Sequence, residues 1–244
     1  MHLEQSRILI TGGGSGIGLA LARALSHTSQ VAIVGRDEQR LERAKADLPD
    51  LHTLRVDVTS ESEAFEAVAW FEERLGGMDL LINSAGVLRT EAFDSPEAES
   101  AAADQFEINV LGSARMTRVA LPLLRRSDDG GVVFFSSGLA LGSSPGLAVY
   151  AATKAAVHSL ARSLRSELRG QVKVFDFLPP FVATPLAGRW GRDAMSVKRV
   201  AEDMIRAIKR DRFEVRIGRV KALSAMGRLS APLADAILAR ELGR

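Results

Sequence analysis

Tyr150 is the one tyrosine of the chain, and Lys154 follows it four residues later. On a helix that spacing puts both side chains on one face, with Cβ atoms roughly 5–6 Å apart. Only six lysines occur in 244 residues, so chance alone puts one there about 2% of the time, 6 in 244. A free phenol, with a pKa of about 10, exchanges protons poorly at neutral pH, and a neighbouring ammonium favours the phenolate. The pair therefore predicts a general acid/base for an oxygen on which charge develops. Ser137 precedes Tyr150 by thirteen residues, just past an apolar run, so its hydroxyl is expected to emerge at the carboxyl end of the sheet, where open α/β folds bind ligands. Ser136 competes for that place, and one of the two is expected only to cap or turn the chain.

A glycine-rich turn, Thr11-Gly12-Gly13-Gly14-Ser15-Gly16-Ile17-Gly18, follows the first strand-like run. It fits G-x-x-x-G-x-G at Gly12, Gly16 and Gly18, and fails G-x-G-x-x-G because Ile17 occupies the place of the last glycine. Between a strand and an amphipathic helix, such glycines let backbone N–H groups and a helix N-terminus approach a pyrophosphate; a plain flexible loop is the alternative. About twenty residues further on, an acidic side chain would bond both hydroxyls of an adenosine ribose. Here that position is Gly35, with Arg36 beside it and Asp37 expected to cap the next helix. Glycine leaves room for a 2′-phosphate and arginine can bind it, so NADP(H) is predicted, with NAD(H) as the alternative. Asn83-Ser84-Ala85-Gly86 follows a later strand, and Asn109 lies within a long helical stretch, where it could equally face solvent.

Seven apolar runs are strand-like: 7–11, 31–35, 51–56, 80–83, 131–136, 172–178 and 213–217. Several are apolar almost throughout, as strands covered on both faces are. Amphipathic helices are predicted over 17–26, 38–48, 61–75, 101–126, 150–169 and 197–209. The alternation predicts a single α/β domain over 1–244, a doubly wound, seven-stranded parallel sheet flanked by helices, with a helical tail at about 219–244 interrupted by Pro232. Apolar residues on more than one face of 101–126 and 150–169 predict a homo-oligomer. Absent cysteine removes thiolate chemistry and disulfides, and His2, His27, His52 and His158 show no metal-ligand spacing, so no metal is expected. A formal charge of only +2, without a basic block, argues against nucleic acid. No secretory leader opens the chain and no apolar run approaches the ~18 to 20 residues of a membrane span, so a cytoplasmic protein is expected.

Together these residues resemble the short-chain dehydrogenase/reductase family: Thr-Gly-x-x-x-Gly-Ile-Gly at 11–18, Asp57-Val58, Asn83 to Gly86, Asn109, Ser137, Tyr150-x-x-x-Lys154 and the turn from Pro179 to Thr184. Finer likeness, in 136–140 and 153–159, is to a bacterial subgroup labelled after the D-alanine transfer operon. The resemblance implies a Rossmann fold, with Tyr150 as acid/base and Lys154 holding the nicotinamide ribose while lowering the tyrosine pKa. Ser137 would bond the substrate oxygen, and Asn109 would support a water linking Lys154 to solvent. Asp57 and Val58 would meet the adenine, Asn83 the adjoining ribose region together with Ala85 and Gly86, and Pro180, Val182 and Thr184 the nicotinamide amide or phosphates. Two positions depart from the family pattern: Ser84 replaces an asparagine, and Pro180 replaces a glycine, removing an N–H and stiffening the turn. The implied reaction is reversible hydride transfer between nicotinamide and a carbonyl or secondary alcohol. The expected pocket draws on 86–88, 139–141, Leu147 and 181–190; its apolar character suggests a small to medium hydrophobic substrate, although Arg89 and Arg189 are close in sequence. A non-catalytic dinucleotide sensor on the same fold is the rival reading.

Overall fold

Seven parallel strands run in the order β3-β2-β1-β4-β5-β6-β7 in the computed structural model, which describes residues 1–187 and 194–229. The chain builds them as β1 (Arg7–Thr11), α1 (Gly16–Leu25), β2 (Gln30–Gly35), α2 (Glu38–Asp47), β3 (His52–Arg55), α3 (Glu61–Leu75) and β4 (Leu80–Asn83). A helical stretch of α4 (Ala98–Phe106), a π turn (Glu107–Gly112) and α5 (Ser113–Arg126) leads to β5 (Gly131–Phe135). A 3₁₀ turn (Gly138–Leu141), α6 (Ala148–Glu167), β6 (Lys173–Leu178), α7 (Val197–Lys209), β7 (Glu214–Arg216) and α8 (Val220–Leu229) complete it. Arg189, Trp190 and the tail beyond 229 lie outside the described residues.

Both faces of the sheet are buried, which is why its strands read as continuous apolar runs. Alternate residues feed two separate layers. Ile8, Ile10, Ile33, Ile82, Val133 and Phe175 pack with Leu21 of α1, Leu41 of α2 and Met204 of α7. Leu9, Ala32, Val34, Leu81, Val132 and Phe134 pack with Phe71 of α3, Met116 of α5 and Val157 of α6. Each large side chain buried this way contributes ~1.5–3 kcal/mol relative to exposure. Asp37, Ser60 and Ser196 accept backbone N–H bonds at the starts of α2, α3 and α7, and Gly76 ends α3 in a left-handed conformation at φ 75°.

The single helix expected over 101–126 is interrupted by the π turn, whose wider loop holds Asn109. Turns of this kind recur at functional positions. Here it coincides with an inward polar residue, since Asn109 is 1% exposed. Residue Thr11 is in register with Val34 on one side and Asn83 on the other, so the sheet changes its direction of growth at β1. A crevice opens at the carboxyl ends there, where open α/β sheets take ligands. Among the described residues no helix is long and apolar enough to cross a membrane.

Asp79 fastens the opposite edge. Its two oxygens accept from Arg7 Nε at 2.9 Å and Nη2 at 2.8 Å, the Arg7 N–H adds a bond of 2.8 Å, and Ser127 Oγ another of 2.6 Å. The Asp79 carbonyl accepts from the Gly131 N–H, so β1, β4 and β5 are tied at one point. Burial opposes ionisation of this carboxyl, but the bonds from Arg7 and Ser127 outweigh it and hold the pKa down to about 2. A depressed carboxylate stabilises fully above the unfolded pKa of about 4 and loses its contribution as pH falls through the folded value. Asp79→Asn should therefore cost roughly 1–3 kcal/mol at pH 7. Urea unfolding at several pH values should show the gap from wild type closing below about pH 4; a gap of constant size would mean that packing, not charge, holds this edge.

Candidate active site

The glycine turn leaves β1 through a backbone that side chains would block. Gly12 has φ +65°, and a Cβ there would stand 2.7 Å from the Ala85 Cα. A Cβ on Gly18 would meet the Gly12 carbonyl oxygen at 2.6 Å, and one on Gly13 would meet Ile33 at 2.4 Å. Thr11 Oγ1 accepts from the Ala85 N–H at 3.1 Å, joining the ends of β1 and β4. Helix α1 then starts at Gly16, and Ser15 caps it without a side-chain bond, so the first amides face the cleft together with the positive end of the helix dipole. Gly12, Gly14, Ser15, Gly16, Ile17, Gly35, Arg36, Val58, Ala85, Gly86, Tyr150, Lys154 and Thr184 line this one cleft, of about 480 Å³.

At its far end Gly35 is open: a Cβ there would find no neighbour nearer than Leu41 Cδ2 at 4.0 Å. Asp37 caps α2 by accepting from the Arg40 N–H at 3.1 Å and pairs with the Arg40 guanidinium at 2.9 Å. Arg36 is held only loosely, 3.7 Å from Asp57. Arg40 also lines the cleft, and sequence reasoning missed it. Asp57 sits behind the wall, where burial opposes its charge but Thr59 bonds its Oδ1 through both N–H and hydroxyl; with Arg36 and Arg55 nearby, the carboxyl is held below its ordinary pKa.

Tyr150 and Lys154 are buried on α6, and Lys154 Nζ lies 5.5 Å from the tyrosine ring centroid. Nζ donates to the Phe135 carbonyl at 3.0 Å. The expectation that the lysine lowers the tyrosine pKa is corrected here. Burial pushes the phenol well above its usual value, and burial also pulls Lys154 down, to about 8, against the attraction of Asp176. Without an ion pair between the two, desolvation governs both, and Tyr150 stands as a proton donor.

The two serines separate. Ser136 Oγ donates to Asp176 Oδ1 at 2.5 Å and to the Phe177 carbonyl at 3.2 Å. Ser137 Oγ accepts from the Leu139 N–H at 3.2 Å, which leaves its proton for another acceptor. Ser137, Pro180 and Val182 line a second, largely apolar cavity of about 250 Å³, whose wall Tyr150, Ile17 and Thr184 share with the first. Asn109 binds the Val87 backbone twice, Oδ1 accepting at 2.8 Å and Nδ2 donating at 2.9 Å, and donates to Thr153 Oγ1 at 3.1 Å. Asn83 is buried behind the cleft and donates to Thr117 Oγ1 at 2.9 Å. Gly18, like Asp57, Asn83 and Asn109, is not in either lining.

Of the expected substrate pocket, Leu88, Leu139, Phe181, Leu186 and Ala187 are in the apolar cavity. Arg89 is not: its guanidinium pairs with Asp104. Arg219, Val220, Ala222 and Leu223 close the cavity from the start of α8, a contribution foreshadowed only by the apolar spacing of the tail. Asp176, fully buried in β6, was also missed; a lone carboxylate inside an otherwise apolar strand was its signal.

A family model described as short chain dehydrogenase matches residues 6–194. The uncharacterized oxidoreductase DltE of Bacillus subtilis is 35% identical over 189 residues, 76% of this chain and 75% of that protein. Farnesol dehydrogenase of Aedes aegypti is 30% identical over 190 residues, 73% of this chain and 78% of that protein. Among solved structures, a short chain dehydrogenase from Burkholderia cenocepacia in complex with NADP superposes with a TM-score of 0.86 at 25% identity, covering 98% of this chain and 99% of that one. One from Burkholderia phymatum in complex with NAD gives 0.87 at 25% identity, covering 96% and 97%.

Two glycine substitutions should separate sterically required from merely small positions. Gly12→Ala, strained in φ and pressed against Ala85 backbone, should lose about 2 kcal/mol or more of unfolding free energy. Gly35→Ala, with open space, should stay within about 0.5 kcal/mol of wild type. Chemical denaturation of both decides it; equal, small effects would show that β1 and β4 do not need their close approach.

Proposed function

The chain belongs to the short chain dehydrogenase family, and from that premise we propose that it is an NADP(H)-preferring oxidoreductase acting on a carbonyl or secondary alcohol of an apolar small to medium molecule. The observation that carries the reading is the shared wall: Tyr150 lines both the glycine cleft and the apolar cavity, and Ser137 opens into the latter.

The glycine cradle, which added Cβ atoms would fill, and the uncapped amides of α1 fit a dinucleotide pyrophosphate. When bound, the nicotinamide supplies or accepts the hydride. The chain's own groups handle the oxygen. In reduction, the Tyr150 hydroxyl gives a proton to the oxygen on which charge develops, and burial keeps that hydroxyl protonated beforehand. Ser137 donates a hydrogen bond to the same oxygen and orients it, keeping its own proton. Lys154 would hold the nicotinamide ribose. The apolar walls exclude water around this exchange.

Three features support the choice of phosphate-bearing cofactor. Gly35 leaves space, Asp37 is engaged by the α2 cap and Arg40, and Arg36 has only a 3.7 Å contact to give up. The apolar cavity supports a hydrophobic substrate, in keeping with the alcohol in the name of the Aedes relative. Exposed Phe106 and Leu111, on the stretch joining α4 to α5, support a subunit contact in a homo-oligomer.

Tyr150→Phe should lower kcat by ~10² to 10⁴ while cofactor affinity stays near wild type, because ring packing survives and only the proton donor is lost. Fluorescence titration and steady-state rates over a panel of carbonyls measure both; more than a tenth of kcat retained would remove Tyr150 from the chemistry. Replacing Gly35 by Asp together with Arg36→Ala should move the kcat/KM ratio of NADPH to NADH by about tenfold or more towards NADH. A wild type that already prefers NADH, or an unmoved ratio, would show that these positions do not select the cofactor.

A further inference from the structure

Lys154 is a cation in a wall that offers it little water, and its hydrogen bond to the Phe135 carbonyl brings no opposite charge. An anion comes from the neighbouring strand, and its attraction opposes the effect of burial on Lys154. Asp176 of β6 stands in register with Phe134, beside the same end of β5, and is 0% exposed. The residue after Phe135, Ser136, donates to its Oδ1, and His158 Nδ1 bonds its Oδ2 at 2.5 Å. Lys154 and His158 are themselves four residues apart on α6, so one helix face presents Tyr150, Lys154 and His158 in succession.

We propose that Asp176 is the buried counter-charge that keeps Lys154 protonated in the closed site, a positioning residue held in place by Ser136 and His158. The proposal rests on the reading of Tyr150 and Lys154 as the reacting pair. A neutral lysine amine would lose the charge that favours ribose binding, and burial alone drives it towards that neutral form. A carboxylate on the next strand opposes the drift without touching the ammonium or competing for its hydrogen bonds.

Among the described residues, the other charged groups around this carboxylate have partners of their own. Arg165 of α6 lies within its field but donates to the Val174 and Phe213 carbonyls. Glu214 of β7, in register with Asp176, pairs with Arg216. From β5 the facing group is the uncharged Ser136. His158, with 14% of its side chain exposed, is the one bonded partner that reaches towards solvent.

The test is the titration of Lys154 in full-length protein, read by NMR of carbon-13-labelled lysine Cε; six lysines make that spectrum assignable. Asp176→Asn keeps the shape and can still bond Ser136 and the alternative tautomer of His158, but removes the charge. It should move the Lys154 midpoint to lower pH by about one unit, as loss of a nearby opposite charge does. The alkaline limb of the pH–rate profile should shift by the same amount. An unmoved midpoint in folded Asp176→Asn overturns the proposal, whether or not any substrate is turned over. An enzyme without turnover whose Lys154 midpoint does shift would instead contradict the functional reading and leave the counter-charge standing. If Asp176→Asn does not fold, His158 decides. His158→Leu, which releases Oδ2, should move the midpoint in the same direction, and His158→Asn, which restores a donor near Nδ1, should return it; a midpoint at the wild-type position in both overturns the proposal.

Discussion

Strands β1 and β4 meet at their carboxyl ends through backbone, and the distance between them sets the geometry of everything above. No side chain separates the Gly12 turn from Ala85, and Thr11 Oγ1 closes the gap by accepting the Ala85 N–H. The next residue, Gly86, lies under Asn109 and Lys154: a Cβ there would stand 3.1 Å from Asn109 Oδ1 and 3.8 Å from Lys154 Nζ. A displacement at the phosphate cradle would therefore pass through two glycines to the lysine. The stiffness of a close-packed interior makes that transmission direct.

The polar groups along this path hold one another in series. Asn109 clamps Val87 and reaches Thr153, and the Thr153 hydroxyl donates to the Tyr150 carbonyl at 2.7 Å. The π turn is thus bonded to the first turns of α6 through Thr153. Burial raises the Tyr150 phenol and lowers the Lys154 amine, the latter against the attraction of Asp176, and it costs stability unless each buried polar atom finds a partner. Phe135 and Thr153 supply such partners without adding charge to the substrate side.

Much of this was legible in the sequence because the relevant signals are local. Strands covered on both faces are apolar throughout, so the central β1, β2, β4 and β5 could be read from the runs themselves, while the half-buried edge strands β3 and β7 were legible from the alternation with helical stretches. The Asp37 cap could be read from its place before a helical pattern. Ser136 and Ser137 could not be told apart, because the distinction depends on Asp176 forty residues away. Nor could the direction of the Tyr150 shift be read, since spacing brings a lysine near a phenol but does not reveal that the ammonium turns to a main-chain carbonyl. The π turn was hidden for a similar reason. It coincides with the contact between Asn109 and a loop twenty-two residues earlier, which helical periodicity alone does not contain.

The two cavities have opposite chemistry and a common wall, and this separates what can vary from what cannot. In the glycine cleft the charged lining groups, Arg36, Asp37 and Arg40, stand on the loop after β2 and the start of α2. At the substrate end α8 closes the cavity, and it seats on Gly138, where a Cβ would meet Val220 Cγ2 at 2.7 Å. Gly138 also donates its N–H to the Pro179 carbonyl at 3.1 Å, so the turn that begins with Ser137 is fixed between the end of β6 and α8. Apolar residues of α8 that face the cavity can change its size while this seat stays as it is. The Ser137 hydroxyl is then held by backbone, and the cavity beside it is shaped by side chains from a separate helix.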